Sequence, residues 1–154
     1  MLSHVSWSDT ENGLLFNVDG RDVDIAGIVK DKWRVSQKKC HAVKELDSTD
    51  PQFQTIKTLV QAYSPPHSAA IRTMYAWRSG SWAVAEVEFE SLLPAVVPIK
   101  TLDTHAAVVG EAIWSGMTLP WKAGPFIRAY IAHKSDDLPE ALLACFELQT
   151  VSFK

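Results

Sequence analysis

The chain has 154 residues, 15 Lys and Arg against 18 Asp and Glu, and 47% hydrophobic content. That length supports a single domain, residues 1–154, and the composition excludes an intrinsically disordered chain. Two cysteines, no basic apolar leader and no apolar run beyond residues 92–99 exclude a disulfide scaffold, a signal peptide and a membrane span, so a soluble, reduced, cytoplasmic protein is expected.

The first element in chain order is a hairpin. Residues 14–18 and 21–26 flank Asp19-Gly20, a dipeptide that supplies the positive φ of a two-residue turn. Val23 and Ile25 alternate with Asp22 and Asp24, which predicts one buried and one wet face. Residues 30–44 then carry six basic side chains and one acidic, a local +5 that leaves −8 for the remainder. Trp33 and Val35 sit among those charges, and periodicity assigns the segment to neither helix nor strand. The clearest helix starts at Thr49-Asp50-Pro51, a side-chain cap followed by a proline at the first helical position. Phe53, Ile56, Leu59, Val60 and Tyr63 give it one apolar face, and Ser64-Pro65-Pro66 ends it.

A second hairpin joins residues 70–78 to 81–90 across Ser79-Gly80. Ala83, Ala85, Val87 and Phe89 share one face of its second strand. Trp82, Val84, Glu86, Glu88 and Glu90 share the other. Residues 92–99, interrupted by Pro94 and Pro98, read as a buried or edge strand. A second helix is expected from Asp103 to Trp114, closed by Gly116. Residues 125–134 and 141–153 read as two final strands around the polar loop 135–139. The order predicts an α+β fold: a mainly antiparallel sheet with two principal helices on one face. The second half reads strand–helix–strand–strand. The first half reads the same way if residues 27–46 are an insertion, so a duplicated unit is one arrangement.

Chemistry is harder to find. Cys40 and His41 are adjacent while His4, His67, His105 and His133 are scattered, which gives no metal-ligand spacing. Neither a nucleophile elbow nor a phosphate or dinucleotide loop occurs, so no cofactor is expected. Glu86, Glu88 and Glu90 lie about 6.6–7 Å apart along one strand face. They read as a solvated face, as an acid–base pair spaced for a water, or as one carboxylate meeting a cationic ligand. Lys30, Lys32, Arg34, Lys38 and Lys39 around Trp33 suit phosphates and a stacked base, but a pI near 5.9 argues against a dedicated nucleic-acid binder. A solvated basic face or contact with an acidic protein is left. Six tryptophans, at 7, 33, 77, 82, 114 and 121, form either core or the aromatic walls of a pocket.

The segments Leu93-Pro94-Ala95-Val96-Val97, Trp114-Ser115-Gly116, Gly124-Pro125-Phe126-Ile127-Arg128-Ala129-Tyr130 and Asp137-Leu138-Pro139-Glu140 together resemble the bacterial effector-binding, gyrase-inhibitor-like domain over residues 86–153. The resemblance implies a duplicated strand–helix–strand–strand fold and a central pocket for aromatic or cationic small molecules, commonly the sensing part of a transcription regulator. No DNA-binding segment accompanies it here, which implies a stand-alone binder. Drug-sensing members commonly place an acidic residue after the motif phenylalanine; here Ile127 and Arg128 follow Phe126, so the charge would have to come from Glu86 or Glu88.

The function expected from these readings is non-enzymatic small-molecule binding. Tyr75, Trp77, Trp82, Trp114 and Tyr130 would be the apolar walls and Glu86 the charge partner. The alternative is a protein-interaction module of immunity or antitoxin type, docking through residues 30–44 with Trp33 as a hot spot. A small hydrolase using Glu86 or Glu88 comes third. A homodimer is compatible with either binding role.

Overall fold

In the computed structural model, which describes residues 5–10, 13–37, 40–67, 70–102, 105–116, 122–150 and 153, the chain is α+β, with two antiparallel sheets and four helices among those residues. The first sheet is a meander of β1 (Val5–Thr10), β2 (Gly13–Val18) and β3 (Arg21–Val23). Asp19 and Gly20 both take positive φ, 51° and 83°, as the two-residue turn demands. The third strand stops at Val23, three residues short of the expected end, because Asp24 caps a helix. Its Oδ1 accepts the Gly27 N–H at 2.7 Å and opens α1 (Ile25–Gln37). Only glycine fits at 27, since a Cβ there would lie 2.0 Å from Asp24 Oδ2. Much of the basic segment is therefore helical.

A single 3-10 turn (Cys40–Ala42) and a two-residue strand, β4 (Lys44–Glu45), lead to α2 (Pro51–Tyr63). Asp50 caps α2 through the Gln52 N–H and Pro51 sits in its first turn, as the sequence predicts. The main sheet continues with β5 (Ile71–Ser79), β6 (Trp82–Phe89), β7 (Ala95–Leu102), β8 (His105–Val108) and β9 (Trp114–Ser115). Its order is β4-β5-β6-β7-β8, with β9 also paired to β7. Pro98 lies inside β7 without breaking it. Its carbonyl accepts the Val109 N–H at 2.9 Å, so its missing donor falls on that same side, where the chain leaves β8 and turns through Gly110–Ala112 before β9.

Three expected elements change type. The helix expected over 103–114 is instead β8, a 3-10 turn and β9; Asp103 itself lies outside the described residues. Ala106 and Val108 point inward while His105 and Ala107 are exposed, a period-two pattern that the neutral alanines hide in the sequence. The strand expected over 125–134 is α3 (Gly124–Lys134). Pro125 suits a first helical turn, and Phe126, Ile127, Tyr130 and Ile131 follow at helical spacing. The strand expected over 141–153 is α4 (Glu140–Cys145), after which residues 146–150 belong to no helix or strand.

The helices lie on both faces of the sheet, which corrects the expected single-faced layer. Phe53, Ile56 and Val60 of α2 pack on Ala83, Ala85 and Val87. On the opposite face Trp82 and Val84 meet Ile127 and Ile131 of α3, Leu142 and Leu143 of α4, and Phe146. The face predicted to be wet is thus covered by the C-terminal third of the chain. With β7, β8 and β9 consecutive before α3 and α4, the second half does not follow a strand–helix–strand–strand order, and no duplicated unit is present among the described elements.

Cys40 and Cys145 are joined by a disulfide, with a Cα–Cα distance of 5.7 Å inside the normal range for a bridge. The expectation of free thiols is corrected accordingly: tertiary packing brings the 3-10 turn after α1 against the end of α4. No helix among the described residues is long and apolar enough to cross a membrane.

Candidate functional site

The six expected site residues do converge, on the sheet face under α3 and α4. There they form a packed layer. Trp77 and Trp82 are 4% and 5% exposed, while Tyr75, Trp114 and Tyr130 are half-buried against the same cluster. Tyr75 stacks on Trp77 with centroids 6.5 Å apart, and Trp77 meets Phe146 at 5.8 Å. Trp114 makes edge contacts with Phe126 at 5.5 Å and Tyr130 at 5.2 Å. Lys100 Nζ stands 5.0 Å over the Trp82 ring and pairs with Asp137. The surfaces that would form pocket walls are spent on one another and on the helices. Trp121 lies outside the described residues.

Glu86 is 0% exposed, and both of its oxygens are engaged by the chain's own tail. Oε2 accepts the Gln149 N–H at 2.8 Å; Oε1 accepts the Thr150 N–H at 2.9 Å and the Thr150 hydroxyl at 2.6 Å. Those bonds leave it as an anchor for the C-terminal segment. Arg128 does a similar job from α3. It donates to the Phe146 carbonyl, stacks over the Phe146 ring at 5.0 Å, and pairs with Asp31 of α1 at 2.8 Å. Among the described residues no group of three or more His, Cys, Asp or Glu side chains could hold a metal ion.

Exposed apolar surface gathers in the N-terminal part of the molecule instead. On α1, Ile25, Val29 and Trp33 recur every fourth residue and are 49%, 63% and 68% exposed, which makes them one outward stripe. Lys30 and Lys32 flank the stripe and are also exposed. Asp31, the segment's single acidic residue, turns inward to Arg128, so the acid is withdrawn from the outer surface. Lys38 and Lys39 lie outside the described residues. One residue before α1, the β1–β3 sheet carries a second apolar face. Its register aligns Val5 with Val18, and Trp7 with Phe16 and Val23; Trp7 is 75% exposed and Val5 56%. The 25–29–33 spacing was readable in the sequence, but extending the first hairpin to residue 26 hid it.

A second feature is a cavity of about 320 Å³ between the C-terminal end of α2, the β6–β7 loop and the β7–β9 edge. Val60, Phe89 and Val97 line its inner side and Tyr63, Leu92 and Ile113 its outer side. Sequence reading placed Tyr63 on a helix face and Gly110 inside a helix, so it held no signal for this space.

Compared with protein-family models, curated proteins and solved structures, the chain finds no match. The segment Gly124 to Tyr130, which carries most of the effector-binding resemblance, forms the first turns of α3.

Proposed function

We propose that this chain is a protein-interaction module that docks through the outer stripe of α1. The observation that carries the reading is Trp33, 68% exposed at the end of an apolar row with Val29 and Ile25 and with lysines on both sides. Soluble domains seldom leave an indole and two branched aliphatic side chains in one exposed line, and tryptophan dominates interface energies when it enters a pocket. The partner that fits is a protein with an apolar cleft rimmed by carboxylates. The cleft takes the indole, and the carboxylates meet Lys30 and Lys32. The β1–β3 sheet carries a further exposed apolar face, with Val5 and Trp7 on it.

The compartment belongs to the same proposal. Composition favours the cytoplasm, whereas a bridge between Cys40 and Cys145 supports surroundings that oxidise thiols, where recognition of a secreted or surface protein takes place.

A photoreactive amino acid at position 29 would capture the partner, and calorimetry on the purified pair would then measure affinity. Trp33→Ala is expected to weaken binding at least about 30-fold, which is about 2 kcal/mol. Reversing Lys30 and Lys32 to glutamate is expected to slow association and remove most of its salt dependence. Affinity within twofold of the parent in both variants would reject the α1 stripe. A second copy of this chain as the captured species would instead assign the stripe to a homodimer.

A further inference from the structure

We infer that the cavity at the end of α2 is a binding site for a small uncharged lipophile with a single hydrogen-bonding group. The site is independent of the α1 stripe. Its inner side is sheet and helix core: Val60 is 2% exposed, Val97 4% and Phe89 9%. Its described lining holds no charged side chain to pair with an ionic group that enters it, which favours neutral occupants over ions, nucleotides and zwitterions. The hydroxyl groups at its edge belong to Tyr63, Ser64 and Ser115. The Ser64 hydroxyl already donates to the Val60 carbonyl at 2.7 Å.

Water in this groove meets mostly apolar walls and few polar partners, so an apolar guest that displaces it gains buried area. About 320 Å³ gives room for on the order of ten heavy atoms, at about 30 Å³ for each water-sized unit. That size suits a substituted phenol or a medium-chain alcohol.

The walls are held in place by specific geometry. A Cβ at Gly110 would fall 2.1 Å from the Tyr63 hydroxyl, so glycine is what lets the Tyr63 ring stand against the 3-10 turn and close that side. Ser115 is paired directly opposite Ala95, which places its side chain on the cavity face of the sheet. Leu92 and Leu93 of the β6–β7 loop border the opening, and Leu93 is 53% exposed. A guest would bury that leucine as well as itself, which adds to affinity through apolar area.

The test uses 4-propylphenol, neutral at pH 7, and 4-propylbenzoate, similar in shape but charged. Methyl NMR follows Val60, Leu92, Val97 and Ile113 while each compound is titrated into the whole protein. The phenol is expected to give saturable shifts at these methyls and the benzoate at least tenfold weaker binding. Ser115→Phe fills the mouth from an exposed position, so folding is kept, and it is expected to weaken the phenol at least tenfold. Non-saturable shifts, shifts centred elsewhere, or equal affinity in Ser115→Phe would overturn the inference. Because Ser115 is remote from Trp33 in sequence and element, a failure here leaves the α1 reading standing, and the reverse holds too.

Discussion

At the scale of single residues, Glu86 shows how one side chain can organise a distant segment. It sits in the middle of β6, and its carboxylate takes two backbone N–H groups and a hydroxyl from residues 149 and 150. A carboxylate satisfied by three donors, two of them backbone, is a strong arrangement because each bond is charge-assisted. Glu86→Ala would leave those donors facing a buried void, at a cost of about 3 kcal/mol. Glu86→Gln keeps one acceptor and is expected to lose less. Urea unfolding measures both, and hydrogen exchange at the Gln149 and Thr150 amides is expected to rise sharply in the alanine variant. Unchanged protection there would show that the tail is held by something else. Sequence alone placed Glu86 correctly on the Trp82–Val84 face. What it did not contain was the donor set, which comes from residues 63 and 64 positions away.

At the scale of elements, α2 is the one that local rules specified completely. Cap, first-turn proline, apolar stripe and terminating Ser64-Pro65 all act within a few residues, so no tertiary information was needed. Its start also carries a pH dependence. Lys44 bonds the Asp50 carboxylate at 2.8 Å and the Gln52 N–H adds a second contact, and together they hold the Asp50 carboxyl below its ordinary value of 3.8. A group whose folded pKa is depressed stabilises above its unfolded value and loses that contribution as pH falls through the folded one. Stability of the wild type is therefore expected to decline below about pH 4 with a component that Asp50→Ala lacks. Melting curves of the two proteins are expected to draw together as pH falls through the acid range, and a constant offset across it would remove Asp50 from that role. By contrast α3 and β8 were misread because their local signals were ambiguous. Ile127, Ala129 and Ile131 satisfy a period of two as well as the helical spacing of Phe126, Ile127, Tyr130 and Ile131. The alanines at 106 and 107 fit either element, and only pairing of 105–108 with 99–102 made that segment a strand.

At the scale of the whole molecule, the sheet is covered twice, and the second cover is fastened at two points. Arg128 ties α3 to α1 through Asp31, and the Cys40–Cys145 bridge ties α4 to the turn after α1 across 105 residues of chain. Closing a loop of that length removes much unfolded-state freedom, and Cys145→Ser is expected to destabilise by about 2–4 kcal/mol. Calorimetry with and without reductant checks this: the parent should fall to the variant's melting temperature when reduced, and a parent indifferent to reductant would show that the bridge does not form. By itself the sequence determined the α+β composition, the two hairpins and the capped α2, along with the parity of the β6 faces. Each of these rests on contacts between residues close along the chain. Tertiary structure decided that both faces of the sheet are covered, that the tryptophans at 77 and 82 are interior, and that Glu86 holds the tail. It also decided that Trp33 is left outside and that a cavity opens beside Tyr63. These depend on which distant segments meet, and a buried aromatic and an exposed one are written with the same letter.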